Sequence, residues 1–173
     1  VIAPETDGLL LKTAEAVASA GSRLLGPSRG ALELTSDKFA LASHWRAHGV
    51  RTPATTERDP TPCEAFPVMW KPRDGAGSAD TFLIRDRFEL AKALASRDPA
   101  RPMILQEFVP GRAASVAFLC GPVKQIPLMP AFQSLSDDGR FQYEGGELPI
   151  PPVLAERATR LAERAVACVP GLL

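Results

Sequence analysis

The chain has 173 residues, 45% of them hydrophobic and 23% charged, and its 20 Lys plus Arg balance its 20 Asp plus Glu. That length fits one domain of ordinary size, not two large ones, and the composition excludes wholesale disorder. A zero charge balance gives no electrostatic reason to expect nucleic acid or an anionic membrane surface as the main partner.

Val1 to Pro4 reads as a strand running into a loop. It lacks the charged region and apolar stretch of a signal peptide, and without an initiator Met the chain reads as cut from something longer. Asp7 is the expected cap of a helix whose apolar positions Leu10, Ala14, Val17 and Ala18 recur at helical spacing, with Gly21 as its stop. Arg23 to Gly26 reads as a short strand broken by Pro27-Ser28. A second helix is expected from Ser36 as N-cap to Gly49, then a turn through Thr52-Pro53 into an extended segment. Residues 54–66, rich in Thr, Pro and charge, read as a loop or linker.

The period then changes. Val68 to Lys71 is a strand closed by Pro72, and Thr81 to Ile84 is its hairpin partner across the glycine-rich stretch from Arg73 to Ser78. Asp86 and Glu89 form a capping box for a helix through Phe88, Ala91, Leu94 and Ala95. Met103 to Val109 and Ser115 to Cys120 are strands ended by Pro110-Gly111 and Gly121-Pro122. Val123 to Met129 and Arg140 to Tyr143 are expected to continue a sheet around a turn at Asp137-Asp138-Gly139. A last helix carries Leu154, Ala158, Leu161, Ala162, Ala165 and Val166 on one face. Hairpin-joined strands with helices between them give an α+β (α/β-like) chain. No apolar run approaches the roughly 18 residues of a membrane span, so no membrane is expected as partner. Cys63, Cys120 and Cys168, an odd and scattered set without metal spacing, read as reduced thiols of a cytoplasmic protein.

Two lysines stand out. Lys38 lies in the first turn of its helix, three and four residues before Leu41 and Ala42, so it either snorkels to solvent or meets a buried anion. Lys71 ends an apolar strand beside Pro72 and flexible glycines. There an ammonium can supply a point charge and loop amides the donors for a phosphate, unless the element is a hairpin with a solvated lysine. Asp74-Gly75-Ala76-Gly77-Ser78 is neither a Walker A loop, since no Gly-Lys-Ser/Thr follows, nor a dinucleotide fingerprint, since Asp80 stands at the third glycine. Gln106 and Glu107 interrupt an apolar strand, so one of them faces a ligand or the sheet edge, or the strand is half exposed. His44 and His48, four apart on one helix without a Glu or Cys partner, read as solvent-side residues. Asp137, Asp138, Glu144 and Glu147 flank a turn and a Gly-Gly, which favours a solvated hairpin over a metal site.

Taken in order, Lys38 opening a helix, then Arg-Thr-Pro, then WKPRDGAGS and ILQEFVPGRAASV, the chain resembles the ATP-grasp superfamily over most of its length. Within it, IAPETDGLL, LGPS before SDK, and FQYEGG look most like the tyramine–L-glutamate ligase type, a carboxylate–amine ligase of methanofuran and methylofuran synthesis. The resemblance implies an incomplete ATP-grasp fold with nucleotide between two α+β subdomains. Residues 1–35 would end a pre-ATP-grasp region, 36–66 open the ATP-grasp domain, 67–110 form the small subdomain with loop and hinge strand, and 111–173 start the C-terminal subdomain.

It further implies that Lys38 and Lys71 hold ATP phosphates, that Gly75, Ala76, Gly77 and Ser78 form the loop that folds over them, and that Gln106, Glu107, Phe108 and Val109 form the hinge strand reading the adenine edge. Where many relatives place a ribose-binding acid after the glycine of this strand, the chain has Arg112-Ala113. The implied activity is ATP-dependent ligation through an acyl phosphate, with ATP and Mg2+ or Mn2+ as cofactors, small carboxylate and amine substrates such as glutamate and tyramine, and a homodimer left open. The superfamily completes its metal site with a late acid and a Glu-x-Asn element, and this sequence contains no asparagine. The expectation is that metal ligands lie beyond Leu173 and that these residues alone do not catalyse ligation. The alternatives are a nucleotide-binding module without catalysis, and an α/β domain whose lysines are merely solvated.

Overall fold

A computed structural model of the chain describes residues 5–57 and 65–172. The expected strand Val1–Pro4 and Cys63 lie outside the described residues. The first helix, α1 (Leu9–Ser19), starts from Gly8 in the left-handed region and has no side-chain cap. The expectation for Asp7 is thereby corrected: at φ 54 it lacks the extended backbone of a capping residue, and its N–H donates instead to Asp74 Oδ2 at 2.9 Å.

Arg23–Gly26 forms no strand. Ser28 instead caps a further helix, α2 (Arg29–Ser36), which the sequence reading did not contain. Gly30 makes it a weak helix former by propensity, and burial of Ala31 and Leu32 sustains it. Asp37, not Ser36, caps α3 (Lys38–Ala47) and accepts from the N–H groups of Phe39 and Ala40, both at 3.0 Å. Ser36 is consumed as the last turn of α2, and Asp37 has the extended geometry a cap requires. Gly49, at φ +67, closes α3 as expected.

The region expected as loop at 54–66 contains a short strand, β1 (Thr55–Thr56). It adds to the open edge of β4 (Met103–Glu107), Thr55 opposite Gln106 and Thr56 opposite Leu105. β4 in turn pairs with β2 (Val68–Pro72), and β2 with β3 (Phe82–Ile84), giving an antiparallel sheet in the order β1-β4-β2-β3. Alternation along β2 buries Val68 and Trp70 and turns Met69 and Lys71 to the other face. Against the buried face packs α4 (Arg87–Ser96), so that Val68, Trp70, Phe82, Ile84, Leu90 and Ala93 form one cluster. Asp86 caps α4 as expected, and Glu89 reaches back to the Arg85 N–H at 2.7 Å.

The second half is more broken than expected. Ser115–Cys120 is not one strand but two, β5 (Ala114–Ser115) and β6 (Phe118–Cys120), and β6 pairs only with β7 (Gln125–Pro127). The strands expected at Val123–Met129 and Arg140–Tyr143 are replaced by that short β7, by β8 (Ala131–Leu135) and by β9 (Tyr143–Glu147). Pro122, between β6 and β7, and Pro130, between β7 and β8, cannot donate to a ladder, and the strands break there. Phe141, at φ 55, holds the chain out of the β region until Tyr143. The three-stranded sheet runs β5-β8-β9.

The last helix, α5 (Pro152–Ala167), has no buried residue, and Leu154 and Leu161 on its apolar face are 40% and 42% exposed. It is tied to α3, where Trp45 Nε1 donates to the Ala165 carbonyl at 3.0 Å. His44 is not solvent-side as expected: it is half-buried, with Nε2 at 2.6 Å from the Cys168 carbonyl just beyond α5, while His48 stays exposed. Cys120 and Cys168 are free thiols. Among the described residues no helix is long and apolar enough to cross a membrane.

Candidate functional site

The turn from Asp37 into α3 and the end of β2 are fastened together, and this brings two lysines distant in sequence to one place. The Lys38 N–H donates to the Arg73 carbonyl at 2.9 Å, and the Arg73 guanidinium donates to Asp37 Oδ2 through Nε at 2.8 Å and Nη2 at 2.5 Å. Glu57 takes the third arm of Arg73. The carboxylate of Asp37 lies below its ordinary range: partial burial opposes ionisation, but the Arg73 hydrogen bond and the helix amides outweigh it.

Lys38 is half-buried and directs its ammonium to the Asp74 carbonyl and, at 2.6 Å, to the Gly75 carbonyl. Of the two readings left open for it, neither holds in full: its partners are loop carbonyls, not solvent or an acid. Lys71 donates to Gln106 Oε1 at 2.8 Å. Both ammonium groups lie below the usual lysine range, chiefly because burial disfavours the charge; for Lys71 the neighbouring Lys38 lowers it further. Among the described residues neither lysine has a carboxylate within ion-pair distance.

The glycine-rich loop, Gly75, Ala76, Gly77 and Ser78, turns through left-handed backbone at Gly75, Gly77 and Ser78. It is held at its two ends. Arg101 grips Asp74 at 3.4 Å and Asp80 at 2.7 Å, the Gly75 N–H donates to the Glu5 carbonyl, and Ser78 Oγ donates to the Phe141 carbonyl at 2.7 Å.

Ladder pairing ends at Glu107. Gln106, Glu107, Phe108 and Val109 then line a cleft of about 840 Å³ together with Met69, Gln133, Leu135 and Phe141. Glu107 is partly engaged, its carboxylate accepting from the Ala54 N–H at 3.2 Å. The structure therefore brings Lys71 to the hinge strand through Gln106 and Lys38 to the loop at Gly75, while Ala76 is exposed.

Thr55, Arg101 and Phe141 belong to this constellation and were not found in the sequence. Only the paired β-branched Thr55-Thr56 carried a usable signal, that of a short strand. Two of the acids at the second hairpin are engaged by other groups: Asp138 accepts from Ser136 and from the Arg140 N–H, and Glu147 pairs with Arg112. Among the described residues no group of three or more His, Cys, Asp or Glu could hold a metal ion. The described residues therefore offer no preformed cluster of ligands for magnesium.

The family model of the ATP-grasp domain matches residues 35–173. The chain belongs to the ATP-grasp family. A second model, of a pre-ATP-grasp domain, matches residues 1–32. The ATP-grasp fold is also that of an ATP-grasp superfamily protein of Archaeoglobus fulgidus, 28% identical at TM-score 0.75, with 99% of this chain and 49% of that chain covered. Carboxyaminoimidazole ribonucleotide synthase of Aspergillus clavatus, solved with ATP, aligns at TM-score 0.79 and 18% identity over 95% of this chain and 45% of that one, a likeness of fold alone. A D-alanine–D-alanine ligase of Pediococcus pentosaceus is 33% identical over 82 residues, 46% of this chain and 21% of that protein. The chain spans about half the length of the first of these and about a fifth of the last.

Proposed function

We propose that these residues form the nucleotide-binding part of an ATP-dependent carboxylate–amine ligase, with the triphosphate received by Lys71 and Lys38 and the base by the hinge strand from Gln106 to Val109. One observation carries the reading: two half-buried ammonium groups have no carboxylate partner among the described residues, and one of them, Lys71, bonds to Gln106 on the wall of a cleft large enough for a nucleotide. Such an arrangement costs stability unless an anion relieves it, and functional sites are where that cost is tolerated.

ATP when bound would supply the phosphoryl group that turns a carboxylate into an electrophile an amine can attack. The chain's own contributions are charge neutralisation by the lysines and water exclusion by Gly75–Ser78, whose last residue already bonds the Phe141 carbonyl. For the hinge, the open backbone after Glu107 provides donors and acceptors for an adenine edge. The family-model limits support a division near residue 35; within the domain we propose 36–66 as its opening, 67–110 as the small subdomain and 111–173 as the beginning of the next. Magnesium or manganese would come from ligands other than the described residues. Glutamate and tyramine are the finer proposal, supported by the sequence stretches IAPETDGLL and FQYEGG; a cytoplasmic location is proposed from the scattered thiols.

The test is calorimetric titration with a non-hydrolysable ATP analogue. Saturable binding is expected, and Lys71→Ala, folded by circular dichroism, should lose about 1–3 kcal/mol of it, the range of a charge-assisted contact. Unchanged affinity in that variant refutes the assignment. A second reading, nucleotide binding without ligation, is favoured by the lack of a metal-holding cluster among the described residues. ATP consumption that depends on glutamate and tyramine decides against it.

A further inference from the structure

Among the described residues Thr55 and Thr81 are the buried polar side chains, Thr55 at 5% exposure. Thr55 lies on β1, outside every stretch the nucleotide reading uses, yet its hydroxyl sits one step from the cleft. It donates to the Pro53 carbonyl at 3.0 Å and accepts from Gln106 Nε2 at 2.8 Å. The amide turned in this way presents Oε1 to the Lys71 ammonium at 2.8 Å.

The direction of this chain is fixed by its end. A backbone carbonyl only accepts, so the single Thr55 hydroxyl proton is committed to Pro53 and the hydroxyl can only accept from Gln106. Gln106 must then offer nitrogen to Thr55 and oxygen to Lys71. The reverse amide would set an NH2 group against an NH3+ group and an oxygen against an oxygen with no proton between them. We propose that Thr55 is a positioning residue: by fixing the Gln106 amide it aims the Lys71 ammonium along the hinge strand toward the cleft. The proposal rests on the reading that this cleft takes a nucleotide, but the relay exists without one.

Thr55→Val is isosteric, keeps the β-branch that suits a strand, and removes the acceptor. Thr55→Ser keeps the hydroxyl. Two measurements separate the ideas. The first is the Lys71 15Nζ resonance, followed through a pH titration of the unliganded protein; Lys38 is the neighbouring charge that also moves it. It is expected to shift in Thr55→Val and to return to the parent position in Thr55→Ser. The second is affinity for the non-hydrolysable ATP analogue, expected to weaken roughly three- to tenfold in Thr55→Val, the loss of one hydrogen bond's worth, and less than about twofold in Thr55→Ser. A Lys71 resonance and an affinity identical in Thr55→Val and the parent overturn the relay. If Thr55→Val moves the resonance while Lys71→Ala leaves nucleotide affinity unchanged, the relay stands and the nucleotide reading falls.

Discussion

Burial lowers the titration of Lys71, as it does that of Lys38, below the ordinary lysine range. A neutral amine cannot pair with a phosphate, so affinity for the ATP analogue is lost as pH rises through the lowered value of this group, below the ordinary lysine value of 10.5. Binding restores the ammonium, so calorimetry in two buffers of different ionisation enthalpy should show proton uptake in alkaline solution. Lys71→Arg, which stays charged, should reduce the uptake to the part that Lys38 supplies. For the unliganded fold the sign is opposite: the charged form is the disfavoured one, and stability gains as pH rises from the lowered value toward 10.5. Gly77 is a second residue whose role is local. At φ +70 a Cβ would meet no atom within 4 Å, so the objection to a side chain there is backbone strain alone. Gly77→Val should cost on the order of 1–2 kcal/mol, read as a lower thermal midpoint, and should impair loop movement more than folding. Normal turnover in a ligase carrying the change would make this loop an ordinary hairpin.

Among the elements, the junction of α3 with the end of β2 decides whether the two lysines meet. Asp37 has two tasks, capping α3 and holding Arg73. Asp37→Ala should therefore cost about 1–3 kcal/mol, a cap and part of an ion pair that is a quarter to a third exposed. It should weaken nucleotide binding as well, because Lys38 opens the same helix. Since the Asp37 carboxylate is held below its ordinary 3.8, this stabilisation is present above that pH and is lost as the pH falls through the lowered value. An acid titration of unfolding in parent and variant checks it, the two curves converging in strong acid. α2 is the other instructive element. Gly171 packs so closely on Ser28, the α2 cap, that an added Cβ would overlap it. Gly171→Ala should lower the unfolding midpoint through α2, seen as faster hydrogen exchange at Ala31 and Leu32.

At the scale of the whole molecule, the two halves of the cleft meet at two places besides the hinge. Ser78 reaches the Phe141 carbonyl, and the Leu83 N–H donates to the Gly139 carbonyl at 2.8 Å while the Arg140 guanidinium lies 4.1 Å from the centre of the Phe82 ring. A ligand held between them should stabilise the pair as one unit. At a hundredfold excess over its dissociation constant, the ATP analogue should add roughly 2.7 kcal/mol to unfolding. A thermal midpoint unmoved at saturating analogue would mean that the cleft does not take nucleotide.

Local signals in the sequence determined the elements whose ends are marked chemically: α4 by its capping box, the β2–β3 hairpin by alternation around a glycine-rich turn, and the stop of α3 by Gly49. They also singled out Lys71 beside Met69 on the open face of β2 and Gln106 as a polar interruption of a strand. What only the tertiary structure decided was the set of partners across long separations. α2 exists because Ala31 and Leu32 are buried, not because its residues prefer helix. β1 exists because β4 has an open edge, and no local pattern reports an edge supplied by residues about fifty positions away. The second sheet departs from its hydropathy pattern because prolines and a left-handed Phe141 cut the strands where hydropathy alone shows continuity. Lys38 turned to loop carbonyls, and Thr55 became the anchor of Lys71, for the same reason. Periodicity encodes which face of an element is apolar, but which polar atom completes another's hydrogen bonds is settled only when the chain has folded.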